Sequence, residues 1–306
     1  MVWIGVLSML LSAMVFPGIV GKIKAKVGGR KGPGLLQPVY DVIRLFKKGA
    51  VYSSTTGVIF KIAPLVYLAS LLAVLVLIPF GGQKGILSFE GDFVFFAYLL
   101  AIGKFMMIIA AMDTGSGFEG MGANREALYS MLVEPAFFIL MGSLALFASS
   151  TSFYDLYNNL HIKTHLSYLT AVTAIYVLVY IAMVENSRLP VDDPKTHLEL
   201  TMVHEVMILD HSGFDLALIT VGNWIKFAIY GTLIANFLLP YSMPHYAQIG
   251  LFFAIQAGFA IVVGGLESFR ARNKMAKNPQ FIIMLSAIAI LVFLTALIIS
   301  EKFSLN

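Results

Sequence analysis

The sequence contains no cysteine. Disulfides, thiolate-bound zinc and cysteine-ligated iron–sulfur clusters are therefore excluded within this chain, and any redox centre of those kinds belongs to a partner. Charge is scarce as well, with Asp, Glu, Lys and Arg making up 12% of the 306 residues, against about 25% in an ordinary soluble domain. Apolar residues fill the space instead, at 58% of the chain and a mean hydropathy of +0.84. Such a composition takes lipid as its solvent. The formal charge of +4 and pI of about 9.1 do not point to nucleic acid, because the basic residues segregate by membrane side. The first apolar stretch, residues 2–20, lacks a basic n-region and a small-residue cleavage site, so it reads as a retained span.

A helix crosses a hydrocarbon core of about 30 Å with about 20 apolar residues. Segments 2–20, 62–80, 93–112, 127–149, 166–184, 216–240, 248–267 and 281–300 meet that requirement. The expected fold is all-α: one polytopic transmembrane domain over 1–306, with eight spans, an amphipathic cytoplasmic helix and a long acidic cytoplasmic loop. Sixteen of the 21 lysines and arginines fall in the connections 21–61, 113–126, 185–215 and 268–280, which assigns that face to the cytoplasm and both termini to the outside. Within 35–48, Leu36, Val39, Tyr40, Ile43 and Phe46 recur at helical spacing, the mark of a helix lying along the interface. The preceding run from Gly28 to Gly34 is a basic turn-rich loop; no strand leads into it and no Walker lysine follows. It suits anionic lipid headgroups or a soluble partner. In 185–215, Pro190 and Pro194 precede an expected helix over 196–210, terminated at Gly213. On it His197, His204 and His211 are seven apart, two turns between successive rings, which is too far for one metal ion. The HExxH motif is absent, and the histidines suit hydrogen bonding or proton relay.

The acids are concentrated on this same side. Glu134 sits inside the fourth span, Glu267 closes the seventh, and Asp113, Glu119 and Glu126 are expected in the short loop before the fourth span. Glu185, Asp192, Asp193, Glu199, Glu205, Asp210 and Asp215 crowd the long loop. An ionised group in a bilayer core costs at least about 2.5–3.5 kcal/mol, so an intramembrane acid is a functional candidate by default. Burial and a neighbouring carboxylate both disfavour ionisation, which brings such groups into the range where they accept and release protons. A file of them is a proton path. Blander roles stand beside this one: Asp113, Asp155 and Asp215 lie at span ends and suit helix capping, and Arg125 could hold Glu119 or Glu126 in an ion pair. Lys104 and Lys226, inside spans, either snorkel or pair with buried acids.

Three segments, GRKGPGLLQPVYDVIRLFKK (29–48), MDTGSGFEGMGANREALYSMLVEP (112–135) and VENSRLPVDDPKTHLELTMVHEVMILDHSG (184–213), resemble the membrane-anchor subunit of energy-converting NiFe hydrogenases and related sulfane sulfur reductases. That subunit is similar to the quinone-site membrane subunit of respiratory complex I. The resemblance implies a multi-pass subunit of a prokaryotic cell membrane, with no catalytic residues, metal or cofactor of its own. Iron–sulfur clusters and a NiFe centre would lie in partners: a hydrogenase-like large subunit and a ferredoxin-like iron–sulfur subunit, beside antiporter-like membrane subunits. Carried over residue by residue, the proton path would comprise Glu134, Glu185, Asp192, Glu205 and Asp210. Glu119, Glu126, Asp193, Glu199 and His204 are secondary candidates, and Arg30, Arg125 and Arg188 would position loops or the redox arm. Val20 stands where complex I has an acid, and the stretch from Asp192 to Ser212-Gly213 is longer; both departures favour the hydrogenase-like branch over a quinone site. A stand-alone ion transporter is the remaining alternative; it predicts inverted repeats or paired broken helices, neither of which is visible. Whether the terminal acceptor is protons, sulfane sulfur or quinone, and whether H⁺ or Na⁺ is exported, depends on the partners.

Overall fold

The computed structural model describes residues 2–158, 165–193, 202–239 and 243–299. Among the described residues, eight helices are long and apolar enough to cross a membrane. They are α1 (Val2–Val27), α3 (Val58–Leu77), α4 (Asp92–Asp113), α5 (Gly117–Ala148), α7 (His165–Glu185), α9 (Gly213–Leu238), α10 (His245–Phe269) and α11 (Asn278–Ile299). Shorter helices α2 (Gln37–Phe46), α6 (Phe153–Asn158) and α8 (His204–Met207) lie in the connections. Among the described residues there is no β-strand, only a bridge between Phe80 and Gln83.

The bundle is built around α9, whose most apolar window is 78% buried, against 28–56% for the other spans. Six of the remaining long helices pair around it, α1 with α10, α3 with α4, and α5 with α11, and α7 packs against α11, α5 and α9. Close approach is permitted by small residues. A Cβ on Gly222 of α9 would stand 2.6 Å from the Tyr67 ring of α3, and one on Gly103 of α4 would stand 2.3 Å from the Ser70 hydroxyl. Phe16, Phe227 and Phe259 meet edge-on and stacked where α1, α9 and α10 converge. In lipid such packing, rather than apolar transfer from water, holds helices together.

Two span limits differ from those expected, and both matter for function. The fourth span begins at Gly117, not near 127, so Glu119, Arg125 and Glu126 stand on the first three turns of a 32-residue helix and not in a loop. The first continues to Val27, carrying Lys22, Lys24 and Lys26 on helix. Hydropathy stops at the first charge, whereas the helical hydrogen-bond ladder continues when the charged side chains find partners. At about 1.5 Å per residue, α5 runs about 48 Å and outreaches the hydrocarbon core. The helix expected over 196–210 is realised differently: residues 202–203 are not helical, only His204–Met207 form a turn of helix, and 194–201 lie outside the described residues. His204 and His211 therefore do not share a helix face. The amphipathic helix is present as α2, with Val42 buried, Phe46 against Phe214 of α9, and Leu36, Tyr40 and Ile43 exposed in an apolar strip that suits the lipid interface.

Asp113 at the end of α4 receives the backbone N–H of Gly57 at 2.7 Å and of Phe60 at 3.4 Å, supplying from another helix the cap that Gly57 cannot give α3. Asp92 likewise receives the N–H of Phe153 at 2.6 Å, at the start of α6. Replacing Asp113 by Ala is expected to destabilise the bundle by about 1–2 kcal/mol, and by Asn by less, read as the shift in unfolding midpoint in detergent.

Candidate functional site

Four charged side chains from four different helices meet inside the bundle. Lys104 of α4 lies 3.2 Å from Glu126 of α5 and 2.9 Å from Glu185 at the end of α7, and Lys226 of α9 lies 2.9 Å from the same Glu185 oxygen. Lys226 also donates to the Glu185 backbone carbonyl. The order Glu126, Lys104, Glu185, Lys226 alternates in sign and sums to zero, which is what makes charge tolerable where water is scarce. Ser187 touches the second Glu126 oxygen at 3.5 Å. Beside the cluster, Tyr67 donates to Asn223 Oδ1 at 2.6 Å, and the Asn223 amide nitrogen sits 3.0 Å from His204 Nε2.

A second cluster lies at the cytoplasmic ends of the helices, as the charge bias assigns them. Glu267 of α10, its side chain fully buried, takes Lys24 of α1 at 3.0 Å and Arg188 at 3.1 Å. Asp192 is held by Arg272 at 2.6 Å and accepts the backbone N–H of Asp193 and of His204. Lys24 also approaches Asp193 at 4.0 Å, and Arg188 lies over the Phe227 ring. The connection between α7 and α9 is tethered further by Arg125, which donates to the Met202 carbonyl at 2.9 Å, and by Glu119, which accepts the Asp210 N–H at 3.0 Å.

Three cavities accompany these groups. One of about 80 Å³ opens beside Glu134, Lys104, Glu185 and Tyr230. A cavity of about 20 Å³ lies among Tyr67, Lys104, Glu126, Glu185, His204 and Asn223. The third, about 320 Å³, is lined by Phe16 and Pro17 of α1, Thr220, Asn223, Trp224 and Phe227 of α9, and Arg188, His204 and Glu205 of the connection.

The expected residues thus divide. Glu126 and Glu185 share one cluster, Asp192 and Asp193 the other, and Arg188 joins the second to the chamber. Glu205 and His204 line the chamber, Glu119 and Arg125 hold the connection, and Glu134 is exposed on the side of the bundle at the mouth of the 80 Å³ cavity. Asp210 is exposed and offers its backbone rather than its carboxylate, and Arg30 is exposed with its N–H on Ala25. Glu199 and His197 lie outside the described residues. Sequence reasoning named Glu267 among the acids without assigning it a role, gave none to Lys24, Arg272, Tyr67 and Asn223, and left Lys104 and Lys226 undecided. The two lysines carried a usable signal, since a cation in mid-span needs a buried anion; the neutral Tyr67 and Asn223 carried none. Among the described residues no group of His, Asp and Glu has the arrangement of a metal site.

The model of the NADH dehydrogenase family matches residues 1–300. The chain belongs to that family. It is 31% identical over 233 residues to hydrogenase-4 component C of Escherichia coli (strain K12), covering 76% of this chain and 73% of that protein. To formate hydrogenlyase subunit 4 of the same organism it is 27% identical over 267 residues, covering 87% and 86%. In fold it is similar to a chain of the membrane-bound sulfane sulfur reductase, an archaeal respiratory membrane complex, with a TM-score of 0.81 at 17% identity over 96% of this chain and 99% of that one. The family and the eight apolar helices make it a multi-pass protein of the prokaryotic cell membrane.

His211, outside the spans, stacks on Phe60 with centroids 4.0 Å apart, and among the described residues neither ring nitrogen has a hydrogen-bond partner. Burial pulls its pKa down to about 4. The folded state therefore holds a neutral ring while the unfolded chain protonates below about pH 6.5. The associated stability is fully present above that pH and is lost as pH falls toward 4, by about 3 kcal/mol in all. His211→Phe is expected to remove this part of the pH dependence of unfolding in detergent.

Proposed function

We propose that this chain anchors a peripheral redox arm to the cell membrane and couples its electron transfer to ion movement in neighbouring antiporter-like subunits. The arm would carry the iron–sulfur clusters and a NiFe or sulfur-reducing centre, and would end in hydrogen evolution or sulfane sulfur reduction. The observation that carries this reading is the run of charge from the cytoplasmic end inward: Asp193, Asp192 and Glu267 with their cations, then the buried Glu126, Lys104, Glu185 and Lys226, then the exposed Glu134 at the side of the bundle. A change of charge at the arm reaches the first group of these through the connection 186–212. Coulombic reordering in a low-dielectric interior then redistributes protons over the rest. Glu134, an ionisable group within a span yet exposed on the bundle, is costly against lipid. A partner membrane subunit over that face removes the cost and receives the signal.

The quinone reading predicts an apolar chamber between the amphipathic helix and the first span. The 320 Å³ chamber lies instead between α1, α9 and the connection, with Asn186, Arg188, His204, Glu205, Thr220 and Asn223 among its walls and no residue of α2. Half of its lining is polar or charged and half apolar, with Phe16, Ile208, Leu216 and Phe227 on the apolar side, and the polar half suits water and protons.

In sealed membrane vesicles driven by reduced methyl viologen, Glu134→Gln and Glu185→Gln are expected to keep electron turnover while gradient formation per electron falls by about fivefold or more. If both assembled variants form gradients as the wild type does, the coupling role is wrong for this chain. Extraction in a mild detergent is expected to recover it with a hydrogenase-like large subunit and a ferredoxin-like subunit; recovery as a lone chain would overturn the anchor role.

A further inference from the structure

We infer that Tyr67, Asn223 and His204 form a reversible hydrogen-bond relay that joins the 320 Å³ chamber to the Lys104–Glu185 charge cluster and reports the protonation of His204 to that cluster. The inference rests on the coupling reading above. Its basis is that the chamber and the 20 Å³ cavity are separate spaces which share Asn186, His204 and Asn223 as a common wall. His204 faces the chamber beside Glu205, Asn223 stands in the wall, and Tyr67 faces the acids.

The direction of the two bonds follows from donor and acceptor inventory. The Tyr67 hydroxyl donates to Asn223 Oδ1 at 2.6 Å, so the amide NH₂ is the end that meets His204 Nε2 at 3.0 Å. An amide nitrogen only donates, so Nε2 accepts and the imidazole is neutral with its proton on Nδ1. Burial favours that neutral form, holding the His204 pKa below its ordinary value. The groups facing the ring are Lys104 of α4, Glu126 of α5, Asp192 of the connection and Lys226 of α9. Glu185 of α7 lies in the same small cavity, and Arg188 and Glu205 lie across the chamber.

A proton delivered from the chamber forms an N–H bond at Nε2 and leaves an imidazolium with a donor at each nitrogen. Two donors then face each other, and the contact at 3.0 Å becomes repulsive. The Asn223 amide flips end for end, with Oδ1 accepting from Nε2–H and the NH₂ donating to the Tyr67 oxygen. The Tyr67 O–H, no longer engaged, turns into the small cavity, where the acceptors are the Glu126 and Glu185 carboxylates. A donor arriving there competes with Lys104 for both of them. Loss of the proton from Nε2 restores the original order, so the relay transfers information about charge without a proton crossing the wall. His204, Asn223 and Tyr67 act here as positioning residues for the acids.

The test uses the assembled complex in sealed vesicles driven by reduced methyl viologen, with turnover and gradient formation followed from pH 5 to 8. His204→Gln keeps a polar side chain in the wall but cannot become a cation, and Tyr67→Phe cuts the relay at its other end. Both are expected to keep electron turnover, to flatten the pH profile of gradient formation per electron, and to lower its maximum by about fivefold. His204→Lys, a permanent donor, is expected to give the same flat profile, whereas a purely structural role predicts loss of assembly with the remaining profile unchanged. If His204→Gln does not assemble, Tyr67→Phe decides. A wild-type profile in Tyr67→Phe, or in an assembled His204→Gln, overturns the relay. Should those variants behave as wild type while Glu134→Gln still uncouples, the relay fails and the coupling role stands; should Glu134→Gln and Glu185→Gln also pump normally, both fall.

Discussion

Glu185 ends α7 with one carboxylate oxygen placed 2.9 Å from two ammonium groups, Lys104 and Lys226, that come from different helices. Removing any one of the three leaves an uncompensated charge in the bundle, at a cost of about 3–5 kcal/mol. The contact therefore fixes α4, α7 and α9 relative to one another more firmly than apolar packing in lipid could, because apolar side chains gain little by leaving lipid for protein. Glu126 completes the neutral set and brings α5 to the same point. The four charges balance only as a set, so a charge arriving nearby acts on the same contact that holds the bundle together.

Around it the connection between α7 and α9 is fastened as an inward-folded strap. Arg188 ties it to α10, Asp192 to Arg272, Met202 to Arg125 and Asp210 to Glu119. Three of the four tethers set a charged group against a partner on a long helix, and the fourth, Arg272, lies in the connection between α10 and α11, so displacement of the strap is felt at more than one helix. The chamber of about 320 Å³ lies where Asn186, Arg188, His204, Glu205 and Ile208 of the connection face α1 and α9.

Sequence alone carried the fold a long way. Apolar run lengths placed all eight spans, and the lysine and arginine bias grouped the connections that the structure brings to one end. The limits of α1 and α5 were less legible, since hydropathy reads the cost of charge while the helix responds to whether that charge is paired. The acids stood out because the rest of the chain has so little charge, and Glu126 and Glu185 do meet. What was hidden is partnership. Nothing in the spacing of Lys104 and Lys226, 122 residues apart, announces that they share one carboxylate. Asp113 stands at a span end and suits capping, but the sequence does not show that the helix it caps is α3 and not its own. Tyr67 and Asn223 are uncharged and common, and only their position in a shared wall gives them significance.

The length of α5 has a mechanical consequence. One continuous helix carries Arg125 at the strap, Glu126 in the ion network and Glu134 at the side of the bundle. Pro135 removes one rung from its hydrogen-bond ladder immediately after Glu134. The helix is thus a jointed lever, stiff from the strap to mid-membrane and compliant in the turn 131–135, where the Met131 carbonyl lacks its rung and Glu134 faces outward. A tilt imposed at its protruding end is delivered at Glu134 as a change of angle.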